Sequence, residues 1–397
     1  MYFRTCLILF FAKSILIKPN RFVLYSSADK LPKNWDELAI NNVFLSQKYL
    51  EILDISKPEN MECFYIGLYD KEELIGISIA QYLNLNELPT FKTKDGCLKS
   101  SIKRFLFKNF SSQVLFIGNN MLTGQNAYFF NPSVDKKEAL KSLKLASNEI
   151  KSILKSQHKK THIITFKDFD KENLPDFETP IFKKNYRFST QPNMIFDVAE
   201  HWKCEQDYID ALSKKYRDQY KRARKKLDGI EKRKMNLDDI LEYEDKIYEL
   251  YLHVAQNAPF NTFYLTKNHF SVFKEKLNHD FLFYGYFLHN ELVGFNTLIK
   301  NGTALDTYFL GYDATIQQEK MLYLNMLYDM IAYSINKGFK KIIFARTALE
   351  IKSSVGAKPK EIYGFMDHQI NFLNSQMHFF FDYFEPKTHW NQRNPFK

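Results

Sequence analysis

A carboxylate and two phenols stand close together in the segment Thr303–Tyr312: Asp306, Tyr308 and Tyr312. In an extended strand Asp306, Tyr308 and Leu310 share one face, and Leu305, Thr307 and Phe309 share the other. A carboxylate on a partly covered strand has a raised pKa and can take a proton, while a phenol can give one up. Asp306 as base with Tyr308 or Tyr312 as donor therefore suits a reaction that deprotonates a nucleophile and protonates a leaving group. The same pattern also reads as a sheet face whose tyrosine hydroxyls are merely hydrogen-bonded.

Two further groups follow strands. Arg346, Glu350 and Lys352 come after KKIIFA (Lys340–Ala345), a run of buried parallel-strand type, and open α/β sheets bind ligands at such strand ends. Arg346 can clamp a carboxylate or phosphate with two parallel bonds and Lys352 can act as a point charge; the plainer alternative is a solvated helix start with a local Glu350–Lys352 pair. The loop Gly118–Asn126 offers Asn119, Asn120 and Gln125, whose amides donate to and accept from sugar hydroxyls or peptide groups. Its plainer reading is a turn that needs positive φ at Gly118 and Gly124.

The net charge is +10, and most of it is local. Between Lys214 and Lys234 eleven Lys or Arg stand against Asp218, Asp228 and Glu231. Arg217, Lys221 and Arg224 fall with Tyr216 and Tyr220 at spacings of three and four, so a helix here presents one cationic and aromatic stripe to an anion, a nucleic-acid backbone or a membrane face. A solvated charged helix is the alternative.

Apolar residues make up 45% of the 397-residue chain, which excludes a disordered protein and allows two cores. Cys6, Cys63, Cys97 and Cys204 follow neither a zinc nor a disulfide-scaffold spacing, so a reducing, cytoplasmic setting is expected. His158 and His162 straddle a helix end and a strand without a third ligand, and no metal site is expected. Residues Met1–Ile17 carry Arg4, the apolar run Thr5–Ala12 and then Lys13, which reads as an interrupted signal-like core, an extension or a segment packed on the first lobe.

The positioning elements come in two copies. YIGLYDKEELIGISIA (Tyr65–Ala80) returns about 218 residues later as FYGYFLHNELVGFNTL (Phe283–Leu298), aligning Gly67 with Gly285, Glu73 with Glu291, Leu74 with Leu292 and Gly76 with Gly294. Each copy reads as a hairpin, and a hairpin needs a larger sheet around it. In the second copy a strand at Ile230–Met235, helices at Leu237–Ala255 and from an N-cap at Thr266 to Leu277, the meander Phe281–Gly311 turning at Asn301-Gly302, a long helix Gln317–Asn336 and the strand Lys340–Ala345 follow in order. The first copy fits the same order with an insertion over Asn84–Phe110, a strand pair in Tyr186–Val198 and a basic helix Glu205–Lys226 leading onward. The expected division is an apolar extension 1–20, a first lobe 21–204, a connecting helix 205–229 and a second lobe 230–397.

This order resembles the GNAT acyltransferase superfamily, and within it the tandem Fem-type aminoacyl transferases and FemAB-like acetyltransferases linked to peptidoglycan. Three passages carry the resemblance: Leu212–Arg217 opening the basic helix, TYFLGYD (Thr307–Asp313) before a long helix, and EIKSSVGAKP (Glu350–Pro359), which looks like a Lys-x-x-x-Gly element at Lys352 and Gly356. The resemblance implies an α+β fold of two GNAT-like lobes, each a mixed, mostly antiparallel sheet flanked by helices. It also implies transfer of an acyl or aminoacyl group from a carrier, acyl-CoA first and aminoacyl-tRNA second, to an amine such as that of a peptidoglycan precursor. No Cys or Ser sits in a nucleophile motif, so direct attack is expected. The family's glycine-bearing pyrophosphate turn is missing, since Asp313–Met321 has no glycine; Gln317, Gln318 and Lys320 at the helix start are left to hold phosphate. That loss keeps open a non-catalytic module that binds a cell-wall precursor, nucleic acid or an anionic membrane surface.

Overall fold

A computed structural model describes residues 16–88, 108–189, 191–258, 261–377 and 390–397. The first fifteen residues and most of the expected insertion, 89–107, lie outside the described residues, and so does the targeting question they raise. Ile17 bridges Val134 on the first lobe.

Both expected hairpins are present with one geometry. β2 (Met61–Asp70) turns through Lys71-Glu72 into β3 (Glu73–Asn84), and β10 (Phe281–Leu288) turns through His289-Asn290 into β11 (Glu291–Asn301). Each carries a bulge at the same place: Leu68 faces Gly76 and Tyr69 faces Leu74, while Tyr286 faces Gly294 and Phe287 faces Leu292. The shared glycines have a steric cause. A Cβ on Gly285 would lie 2.8 Å from the Phe287 ring and 3.0 Å from Leu292, and one on Gly67 would lie 3.0 Å from both Tyr69 and Leu74.

The first sheet runs β1 (Arg21–Tyr25), β2, β3, β4 (Gln113–Ile117), β6 (Ile163–Phe169), β15 (Tyr363–His368), β7 (Tyr186–Ser189), with β5 (Tyr128–Phe130) pairing on β3. The second runs β14 (Lys358–Lys360), β8 (Asn193–Asp197), β13 (Lys341–Ala345), β12 (Ala304–Tyr312), β11, β10, β9 (Ile230–Lys234). β7 and β8, expected as a strand pair, part company: β7 stays at the edge of the first sheet and β8 crosses to lie against β13. β14 and β15 make the same exchange in return, β15 inserting between β6 and β7. Sheet membership therefore cuts across the sequence boundary between the lobes. The reason is that β6 and β13 each bury their open edge against the other lobe's strand, where every backbone N–H and C=O must find a partner.

One core joins the lobes. Trp35, Tyr49, Leu50 and Leu53 of the first lobe belong to the same buried apolar cluster as Ile247, Phe270, Phe273 and Phe295 of the second. Helix Gln47–Ser56 packs on helix His269–Leu277 at this seam. Thr266 does not cap the latter helix, whose N-cap is Asn268; its hydroxyl instead donates to the Ser56 carbonyl across the seam at 3.1 Å.

Three expected helices are each two, and the one expected over Leu237–Ala255 is Leu237–Glu242 followed by Glu244–Gln256. The basic segment breaks into Glu205–Ala211 and Lys214–Lys226. The helix expected over Gln317–Asn336 is Ala314–Lys320 followed by Leu322–Asn336, with Met321 between them at φ 50°.

Candidate functional site

β12 and β13 run parallel and pair only over Ala304–Asp306 and Lys341–Ile343. Beyond that β12 continues to Tyr312 and β13 to Ala345 without a shared ladder, so the strands part just after Asp306. The register of β12 on β11 slips at the same point, where Asn296 faces Leu310 but Leu298 faces Thr307. This bulge sets Tyr308 and Phe309 into the same interlobe cluster, so strict alternation fails from residue 309 onward. Tyr312 consequently packs on the opposite side, 6.2 Å from Tyr323, and does not share a face with Asp306 and Tyr308.

Asp306 is 6% exposed, and burial pushes its carboxyl up to about 7. Asn301, the residue before the turn glycine, donates its side-chain amide to it at 3.3 Å while its Oδ1 accepts the Val43 amide of the first lobe at 3.0 Å. The Tyr308 hydroxyl sits 3.0 Å from His269 Nε2, and burial drives the phenol well above its ordinary value. His269 is fully buried, held down to about 4, and its Nδ1 lies 3.0 Å from the Ser56 carbonyl. A neutral imidazole with Nδ1–H on that carbonyl leaves Nε2 to accept the Tyr308 proton.

The strand end at β13 is strained. Ala345, Thr347 and Ala348 all have φ between 48° and 65°, a conformation costing about 1–2 kcal/mol per residue outside glycine. Lys352 holds this turn from beneath. Its ammonium donates to the carbonyls of Arg346 at 2.6 Å and Ala345 at 3.4 Å, and burial lowers it to about 7. It makes no pair with Glu350, which bonds Arg393 at 3.0 Å.

Arg346 reaches the other lobe and pairs with Asp168, which Lys167 also holds at 2.5 Å. Lys167 donates onward to the Asn119 carbonyl at 2.9 Å, which anchors the loop Gly118–Asn126. The amides of that loop are engaged within the protein. Asn119 donates to the Tyr49 hydroxyl at 2.7 Å, Asn120 donates to Gln81, and Gln125 accepts the Ala127 amide at 2.9 Å; Gly118 and Gly124 take φ of 141° and 98°. An acceptor bound here must displace those bonds. The adjoining Asn193 is 4% exposed, and its Oδ1 and the Arg346 Nε have no hydrogen-bond partner among the described residues. Nothing in the sequence singled out Lys167, Asp168 or His269. Their weight comes from contacts across the seam, which no local spacing records.

The helix start expected to hold a phosphate is already engaged within the protein. Asp313 accepts the amides of Thr315 and Ile316, so the helix start at Ala314 already holds a carboxylate. Gln317 and Gln318 lie within this short helix, and Lys320 donates to the Asp228 carbonyl at 3.1 Å. The helix Leu322–Asn336 begins without a side-chain cap, behind Met321 in the left-handed conformation that a glycine turn would supply. Gly294 lets it sit tightly on the sheet, since a Cβ there would lie 2.8 Å from Leu322. Leu322 itself is buried.

The basic stripe divides. Arg224 turns inward to Glu205 at 2.8 Å and Asp329 at 2.7 Å, and Arg217 donates to the Leu212 carbonyl. Lys221 is exposed and has no ion pair among the described residues. Among the described residues no helix is long and apolar enough to cross a membrane, and no group of three His, Cys, Asp or Glu could hold a metal ion.

No family model and no curated protein matches the sequence. Solved structures do. The crystal structure of FemX superposes with a TM-score of 0.53 at 12% identity, over 90% of this chain and 99% of that one. A tandem GNAT protein from the clavulanic acid biosynthesis pathway superposes with a TM-score of 0.50 at 10% identity, over 88% and 98%. This chain has the tandem GNAT fold, two mixed and mostly antiparallel sheets flanked by helices, in the arrangement it shares with FemX.

Proposed function

We propose that the protein transfers an acyl or aminoacyl group from a carrier to an amine by direct attack, with the donor held by the second lobe. The observation that carries this reading is the parting of β12 from β13 beside a buried carboxylate. Parted parallel strands expose backbone groups to an amide-bearing carrier arm, and the uncapped start of helix Leu322–Asn336 lies at the far end of β12 to receive its phosphate.

Asp306, poised near neutrality, takes the proton of the attacking ammonium directly or through one water. The amine nitrogen then bonds to the carbonyl carbon, and collapse of the adduct breaks the bond to the carrier thiol or ribose oxygen, which leaves with a proton. Tyr308 is oriented by His269 beside this path. Acyl-CoA carries such an amide-bearing arm, and aminoacyl-tRNA, which lacks one, is the second donor of this reading. Cytoplasmic placement, a peptidoglycan-type acceptor and contact with a membrane belong to the same proposal.

Mass spectrometry of acceptor amines incubated with acetyl-CoA, longer acyl-CoAs or charged tRNA tests it. Transfer that Asp306→Asn slows by about 10²-fold is expected. Absence of transfer from every donor, together with unchanged melting in the presence of each, would overturn the reading.

A further inference from the structure

A concavity of about 500 Å³ lies at the other end of the second sheet, where β12 and β13 begin rather than where they part. Three elements deliver lysines to it: Lys234 from the end of β9, Lys300 from β11 and Lys337 from the end of helix Leu322–Asn336. Tyr284, Tyr333 and Phe339 supply its aromatic wall, with Tyr333 stacked on Phe339 at 6.2 Å and 27°.

The charge here is not balanced by the chain. Lys234 and Lys337 have no ion pair among the described residues, and Lys300 has only Asp280 at 4.0 Å. Lys234 also lines a second concavity of about 490 Å³ with Lys274, whose single acidic lining residue is the exposed Glu275. Burial, and then the positive charges of Lys234 and Lys300, push the Lys274 ammonium below its ordinary value. Its ammonium is tied to the carbonyls of Asn278 and Phe281, and Asn278 holds φ 47°. A helix C-terminus attracts one cation and accounts for Lys337, but not for lysines on two strands.

The hydroxyls of Tyr284 and Tyr333 have no hydrogen-bond partner among the described residues. Lys232 covers the Tyr284 ring at 4.4 Å. Uncompensated ammoniums, stacking rings and free hydroxyls in a space this size match one ligand chemistry. Phosphate oxygens need the cations, a base needs a ring face, and ligand cavities commonly measure about 300–1,000 Å³.

We propose that this groove is a binding site for a phosphorylated nucleoside, with Lys234, Lys300 and Lys337 on the phosphate and Tyr284 or Tyr333 against the base. The strands part after Asp306, three residues into β12, so the groove lies about 10 Å along the strand from the start of the gap and about 25 Å from its far end at Tyr312, and none of its lysines belongs to the acyl-transfer site. The ligand is either a free nucleotide or one unit of a single RNA strand, which share this chemistry.

Calorimetric titration of the full chain with AMP, adenosine, inorganic pyrophosphate and a short oligoadenylate tests the site. AMP is expected to bind saturably, adenosine at least ten-fold more weakly, and pyrophosphate to compete. Lys234→Ser/Lys337→Ser should weaken AMP ten-fold or more with an unchanged melting temperature, because neither side chain makes a contact that the fold uses. Tighter binding of the oligoadenylate than of AMP, lost in the same variant, would assign the site to an RNA strand; the reverse order would assign it to a free nucleotide. No saturable AMP binding, or equal affinity in the double variant, overturns the proposal.

Discussion

Asp168 and Arg346 occupy the same place in the two lobes and pair with each other. β4 pairs β6 from Val114 and Ile163, and β12 pairs β13 from Ala304 and Lys341, so both residues stand five positions past equivalent starts. An approximate two-fold relation thus places an anion opposite a cation where the exchanged strands cross. Asp168 also holds Lys167, so its loss strands two cations in a buried setting. Asp168→Asn keeps the left-handed backbone that Asp168 adopts at φ 66°, and is expected to cost about 3–5 kcal/mol in urea unfolding. Adding Arg346→Gln should recover part of that loss, because the pair is coupled.

Asp306 governs both rate and stability. Burial raises its carboxyl from 3.8 to about 7, so the folded chain holds a proton that the unfolded chain has released between those values. Stability therefore falls as pH rises from about 4 to 7, by roughly 4 kcal/mol at most, and is flat above. Asp306→Asn should remove that slope in melting curves. Turnover, by contrast, should rise through pH 7 in the wild type and drop by about 10²-fold in the variant.

Lys352 shows the opposite slope. Its ammonium is lowered from 10.5 to about 7, so the unfolded chain binds the extra proton and stability rises with pH between those values. Lys352→Met should abolish the rise. Lys352→Ala also removes the bonds to Ala345 and Arg346 and leaves a cavity, at an expected cost of about 2–4 kcal/mol.

Charge reversal separates the two kinds of cation on the basic helix. Arg224→Glu puts a third acid beside Glu205 and Asp329 and should unfold the protein at markedly lower urea. Lys221→Glu, on the exposed face, is expected to change stability by less than about 0.5 kcal/mol.

Glycine substitutions test the seating of the sheets. A Cβ on Gly311 would lie 2.5 Å and 2.6 Å from backbone atoms of Leu250 and Tyr251, which cannot swing away. At Gly67 the neighbours are side-chain atoms at 3.0 Å. Gly311→Ala should therefore lower the melting temperature clearly more than Gly67→Ala, the first costing about 3 kcal/mol and the second about 1 kcal/mol.

By itself the sequence determined the repeated hairpins, because alternation, two-residue turns and the glycines that aromatic neighbours overlie are all local. It also determined the order of strands and helices in each lobe, and with it the fold class. Tertiary structure decided the rest. The exchange of β8 and β15 depends on which open edge a strand meets, and residues 186–198 read the same whether the pair closes on itself or splits. The bulge at Tyr308–Phe309 moved Tyr312 off the face that alternation assigned it. Arg224, one of eleven cations between Lys214 and Lys234, became an internal ion-pair partner, while Lys352 turned inward to hold a strained turn. Charge alone is written in the residue, but burial and pairing are fixed by what packs against it from far along the chain.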